Sequence, residues 1–176
     1  MMKRLSILTC VAVLSGCGSS DLNLVKDGYM DFNQTSTIGQ ILDNWQSCES
    51  SDWTETVESN GVRKVVFSCT HKGFDDFAKT LQETIALKDE YFQEYLGVSS
   101  TTTQFTFTIN QDESFQLAST DMITNWHDGK RFVQSMPIGS IDMAYQDELA
   151  FDTAQLDWNN AISMNRLYAT MHSQAQ

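Results

Sequence analysis

Apolar residues fall into two kinds of spacing along this chain, and the two kinds alternate. Ile38, Ile41, Leu42 and Trp45 stand at i, i+3, i+4 and i+7 behind the capping run Thr35-Ser36-Thr37, which predicts an amphipathic helix starting there. "DWTETVES" and "VRKVVFSC" follow, two strand-like runs separated by Asn60-Gly61, a dipeptide suited to a tight hairpin because both residues tolerate positive φ. Helical spacing returns from Phe74 to Leu96. Phe74, Phe77, Leu81, Ile85, Phe92 and Tyr95 share one side, acids and lysines take the other, and Gly97 ends the run. "TTTQFTFTIN" then alternates Phe105, Phe107 and Ile109 with threonines, residues 110–113 turn, and "SFQLAS" returns with Phe115 and Leu117. Residues 120–149 are less regular, with a turn expected at His127-Asp128-Gly129-Lys130 and the single proline at position 137. Phe151 to Met171 predicts a last helix with Phe151, Ala154, Trp158, Ala161, Ile162 and Leu167 on its buried side. The expected fold class is α+β: tandem helix and β-hairpin units forming an antiparallel sheet covered by helices, plus a C-terminal helix.

The first residues follow neither period. Lys3 and Arg4 precede a mostly apolar run from Leu5 to Leu14, the pattern of a secretory signal peptide and too short to span a bilayer. The closing Leu14-Ser15-Gly16-Cys17 resembles the bacterial lipoprotein box. That resemblance implies cleavage ahead of Cys17, with lipid on its sulfur and its amino group, and so a protein that sits on a membrane without crossing it. The chain then divides into a signal peptide (1–16), a lipidated tether (17–24) and one α+β domain (25–176). Gly18, rather than Asp, follows the cysteine. By resemblance to enterobacterial sorting rules this implies an outer-membrane anchor facing the periplasm, in a Gram-negative cell.

Charge narrows the partners. The formal charge of the whole chain is −12, and losing Lys3 and Arg4 with the signal brings it to about −14. Such a surface repels phosphate backbones, which excludes nucleic acid as a partner and leaves the bilayer reached through Cys17, and an envelope protein, as the expected ones. With Cys10 in the signal and Cys17 lipidated, Cys48 and Cys69 remain, an even pair in an exported chain, which reads as a disulfide. Extending the helix face past Ile41 and Trp45 reaches Cys48, and Val65, Phe67 and Cys69 share one strand face, so both sulfurs are expected between helix and sheet. A metal site at this pair would need His71 and a further ligand from His127, His172 or a distant carboxylate, and no metal is expected.

The order helix, hairpin, helix, hairpin, from "TIGQILDNW" to "VVFSC" and from "FDDFAKTL" to "FQLAS", resembles the tandem αββ layout of the β-lactamase-inhibitor protein and of BamE-type outer-membrane lipoproteins. The same segments are similar to exported bacterial lipoprotein domains. Neither family's Gly-Met-Thr start nor its Leu-Gly-x-Pro helix end is present, so no functional residue is carried over. No His-Glu-x-x-His, Gly-x-Ser-x-Gly or phosphate-cradling glycine loop occurs either, and the three histidines are scattered, so no catalytic residue and no cofactor are expected. Asp75 and Asp76 sit where acids meet a helix dipole, and Asp112 and Glu113 sit in a turn. The candidate partner-binding loop is "NWHDGKRF", where Trp126, His127, Lys130 and Arg131 offer an aromatic anchor and local positive charge. The expected function is a non-catalytic, membrane-anchored binding or scaffold protein. The alternatives are an inhibitor of a basic enzyme such as a lysozyme, and an envelope hydrolase, whose sign would be a pocket holding a histidine beside a serine or carboxylate.

Overall fold

The computed structural model describes residues 20–176. The expected signal peptide and lipobox, with Cys17, lie outside the described residues. No described helix is long and apolar enough to cross a membrane.

Two short helices, α1 (Asp21–Lys26) and α2 (Ile38–Leu42), open the described chain. Five strands form one antiparallel meander in sequence order: β1 (Cys48–Val57), β2 (Arg63–His71), β3 (Val98–Ile109), β4 (Phe115–Trp126) and β5 (Arg131–Met136). Helices α3 (Phe74–Ile85) and α4 (Asp89–Leu96) connect β2 to β3, while α5 (Asp142–Tyr145) and α6 (Trp158–Gln174) follow the sheet. The period-2 pattern accounts for the sheet's two faces. Phe67, Phe105 and Thr120 are register partners turned toward the helices and fully buried, whereas the next row, Ser68, Gln104 and Asp121, lies on the opposite, polar face.

Three of the strand connections use the same turn. Glu58, Asn110 and Trp126 each bond through their N–H to the carbonyl four residues on, and residues Gly61, Glu113 and Gly129 take positive φ. In each, an Asn or Asp carboxamide or carboxylate oxygen accepts the backbone N–H two residues later: Asn60 from Val62, Asp112 from Ser114, and Asp128 from Lys130. These are three-residue loops closed by a left-handed residue, not the two-residue turn that Asn60-Gly61 predicts. Glycine supplies that conformation at 61 and 129, and Glu113 supplies it at a steric cost.

Elsewhere the structure departs from the pattern for identifiable reasons. Residues expected as a polar tether begin the fold, since α1 is capped by Ser20 and buries Val25 completely. The first predicted helix ends at Leu42 because Asp43, at its C-cap, is taken by Trp53 Nε1–H (2.7 Å) and Lys26 (2.7 Å). Cys48 therefore opens a strand rather than extending a helix. The Cys48–Cys69 disulfide is present, but it staples neighbouring strands, with Cα atoms 5.3 Å apart next to a bulge between Cys48 and Ser50. The long helix predicted for Phe74 to Leu96 is two. Ala86 turns left-handed, and its N–H and that of Leu87 bond back to Glu83 and Gln82, a helix stop that an alanine does not announce. Residues 131–136, read as irregular, form β5.

The last helix starts at Trp158, where Asp157 accepts the Asn160 N–H at 2.8 Å. Its inward stripe is Ala161, Met164, Tyr168 and Met171, so Trp158 (60 % exposed), Ala154 and Leu167 are not part of the buried side expected for them. Phe151 is buried from the preceding loop. Two apolar clusters result: one beneath α1, α2 and α5, built on Phe67, Phe105 and Phe107, and one among α3, α4 and α6, built on Phe77, Leu81 and Tyr168.

Candidate binding cavity

Where the two clusters meet they leave a cavity of about 120 Å³. Strand alternation brings Thr103, Thr120, Met122 and Met136 to it from the inner sheet face, because their register partners place all four on the side of Phe67 and Phe105. Helix α6 closes it with Met164, Leu167, Tyr168 and Met171, spaced three, one and three residues apart along one face. The segment between sheet and helix adds Met143 and Phe151, and Trp45 forms a wall, held there by its indole N–H donating to the Glu148 carbonyl at 2.8 Å. Five of the chain's eight methionines line this one space. Thioethers are unbranched, polarizable and able to repack, so their concentration here makes an adaptable apolar wall rather than a rigid one. Larger hollows, of about 350 Å³ beside Lys72 and Asp76 and about 380 Å³ beside Lys79 and Gln93, open to solvent on the surface.

His71 stands at the cavity's inner end, 5 % exposed and edge-on to Trp45. The Ala150 N–H donates to Ser47 Oγ (2.9 Å), Ser47 Oγ pairs with His71 Nδ1 (2.9 Å), and His71 Nε2 pairs with Thr103 Oγ1 (2.7 Å), so both ring nitrogens have a partner in either tautomer. A serine beside a histidine is the sign expected of a hydrolase. Here Ser47 is 1 % exposed and its oxygen is occupied by a backbone N–H. The second ring nitrogen meets a hydroxyl where a triad would place a carboxylate. The pair therefore ties β1, β2 and the 147–150 segment together, and this geometry leaves the serine no room to attack a substrate.

Burial lowers the His71 pKa to about 4, only partly opposed by a hydrogen bond to the Ser47 backbone. The folded value lies below the unfolded 6.5, so the unfolded chain takes up the proton first. The stabilisation from keeping this ring neutral is complete above about pH 6.5 and is lost as pH falls toward 4. Urea unfolding at pH 7 and pH 5 should differ by about 2 kcal/mol through this residue, and His71→Gln should remove that part of the difference. An unchanged pH slope in the variant would show that other groups set it.

The loop at 126–131 does not present the aromatic anchor its composition suggests. Trp126 is 3 % exposed, its indole N–H donates to the Tyr95 carbonyl (2.9 Å), and it packs edge-on against His172 (5.4 Å), so the expected aromatic anchor belongs to the core. Its burial follows from strand period, which points it inward beside Val98. Lys130 Nζ lies 3.4 Å from His172 Nδ1, and the buried ring's Nε2–H donates to Asp128 Oδ2 at 2.8 Å. That hydrogen bond is the main reason the Asp128 carboxyl sits below its usual range. His127 and Arg131 remain exposed, with the Arg131 backbone paired to Gln176.

Asp75 and Asp76 occupy the exposed first turn of α3, whose N-cap Gly73 provides no side-chain cap. Among the described residues no three His, Cys, Asp or Glu side chains gather as a metal site would require. The cavity was missed in the sequence because its methionines come from four separate segments; only Met164 and Met171, seven apart, share a visible stripe. No protein-family model, no curated protein and no solved structure matches this chain.

Proposed function

We propose that the protein is an envelope lipoprotein, held to the membrane by acyl chains on Cys17, that binds its target without transforming it. The observation carrying this reading is the apolar cavity, in which His71 is neutral and hydrogen-bonded at both nitrogens and burial raises the Tyr168 phenol far above its usual range, so neither titratable group that lines it acts as a base near neutral pH. Such a site receives and orients a ligand but offers no general base near neutral pH. The leader pattern, the lipobox and an intramolecular disulfide support an oxidising, exported setting.

Metabolic labelling with a fatty acid, followed by crosslinking in living cells, tests both halves. The wild-type protein should take label and capture an envelope component beyond what a lipidated control captures, and Cys17→Ala should take none. Equal labelling of the Cys17→Ala protein would overturn the anchor. A purified domain that turned over a substrate, with nothing enriched in the cell, would overturn the binding role.

A further inference from the structure

We propose that the methionine-lined cavity is a binding site for a small apolar molecule, aromatic or short-chain, that carries one hydrogen-bonding group and is held through that group by Thr120. The inference rests on the proposed binding role and names the class of ligand.

Thr120 is the decisive residue. It lies on the inner sheet face, 1 % exposed, lines the cavity, and its hydroxyl oxygen, enclosed by its neighbours, has no hydrogen-bond partner among the described residues, so a ligand reaches it as the adaptable methionine wall repacks. Thr101 and Thr124 share that state, but they face each other farther along the sheet and do not line this space. The neighbouring Thr103 hydroxyl is already paired with His71 Nε2. Leaving a hydroxyl unpaired inside a protein is costly, and the cost vanishes when a ligand brings the missing group.

Water is a poor occupant, since it needs two to four polar partners and the walls are mainly thioether, aromatic and aliphatic. A soft metal ion fits less well than its methionines suggest. Both His71 nitrogens are engaged, and no carboxylate or free thiol lines the space. Size then sets the ligand: a cavity near 150 Å³ holds a benzene ring, so about 120 Å³ takes roughly five non-hydrogen atoms as it stands, and a ring or phenol fits as the flexible methionines give way. Entry is available past Leu167, which is 38 % exposed at the rim between half-buried Met143 and Met164.

The test uses the full-length chain with Cys17→Ala, which needs no detergent to compete for the cavity, and methionine methyl resonances as the readout. Phenol and benzene are titrated separately. Both should shift the methyls of Met122, Met136, Met143, Met164 and Met171 and leave Met30, which packs under α1 and α2, unmoved. Phenol should bind with a Kd on the order of 0.1–1 mM, as expected for so few atoms. Thr120→Val preserves shape and removes the hydroxyl. It should weaken phenol five- to tenfold while leaving benzene within about twofold. Met164→Phe fills the space and should abolish both. Shifts spread equally to Met30, or phenol unaffected by Thr120→Val, would overturn the proposal. So would silver ion shifting the five methyls at stoichiometric concentration while neither aromatic binds, which would make this a soft-metal site. Failure of phenol and benzene alongside successful capture in cells would sink this inference and leave the binding role standing.

Discussion

Replacing Phe67 with alanine is expected to cost about 4 kcal/mol, within the range for truncating a fully buried aromatic ring and more than opening the disulfide should cost. Phe67 is fully buried at the centre of the sheet, lies parallel to Phe105 with ring centroids 6.3 Å apart, and meets Trp53 at 4.9 Å. Trp53, Phe67 and Phe105 are register partners on three adjacent strands, so truncating the middle ring opens a void that neighbours on fixed strands cannot close. Against a typical total of about 5–15 kcal/mol, roughly 10 °C should be lost from the melting temperature. Val66→Ala, one position along and on the opposite face, should cost about 1 kcal/mol or less, and equal midpoints for the two variants in urea would contradict the assigned faces.

Removing the disulfide should have the next largest effect, about 3 kcal/mol, because the bridge closes 21 residues of chain that an unfolded state would otherwise explore freely. The damage should be local as well as global. Strand β1 is an edge strand whose side chains are exposed along most of its length, with Trp53 as its main apolar contact, so the bridge is the one covalent addition to the hydrogen bonds, Ser47 to His71 and Lys72 among them, that hold its start against β2. In a Cys48→Ala, Cys69→Ala protein, amide exchange should accelerate in residues 48–57 before it does in β3 and β4. Wild-type protein should lose the same stability on reduction with dithiothreitol. An unchanged urea midpoint after verified reduction would show that the bridge is incidental to stability.

Much of the fold was legible because it depends on short-range rules. Alternation in "KVVFSC" and "FTFTI" assigned the inner faces of β2 and β3 correctly, and the capping run Thr35-Ser36-Thr37 placed the start of α2, where Thr37 is the N-cap. What failed was local structure decided by distant partners. Asp43 ends α2 because Trp53, ten residues on, and Lys26 reach it, and nothing in the order of residues foretells either contact. Trp126 read as an exposed anchor because the loop around it is polar; the carbonyl of Tyr95, 31 residues away, takes its indole N–H and offsets the cost of burying it.

The site divides along the same line. The leader-like run and the Leu14-Ser15-Gly16-Cys17 pattern are properties of residue order alone, and the proposal of export and anchoring rests on them without any coordinates. Period-2 and period-3.6 spacing likewise determined that there would be an antiparallel sheet with helices, since burying one face of each element is a requirement that any packing must meet. The cavity is a different kind of object. It exists because two apolar clusters, one built on α2 and β2 and the other on α3 and α6, meet imperfectly, and its five methionines arrive from β4, β5, the segment after it and α6. Likewise Ser47 and His71 are 24 residues apart and become neighbours only when β1 pairs with β2. Burial, proton position and an unpaired hydroxyl at Thr120 are relations among side chains remote in sequence, so tertiary packing alone could decide them.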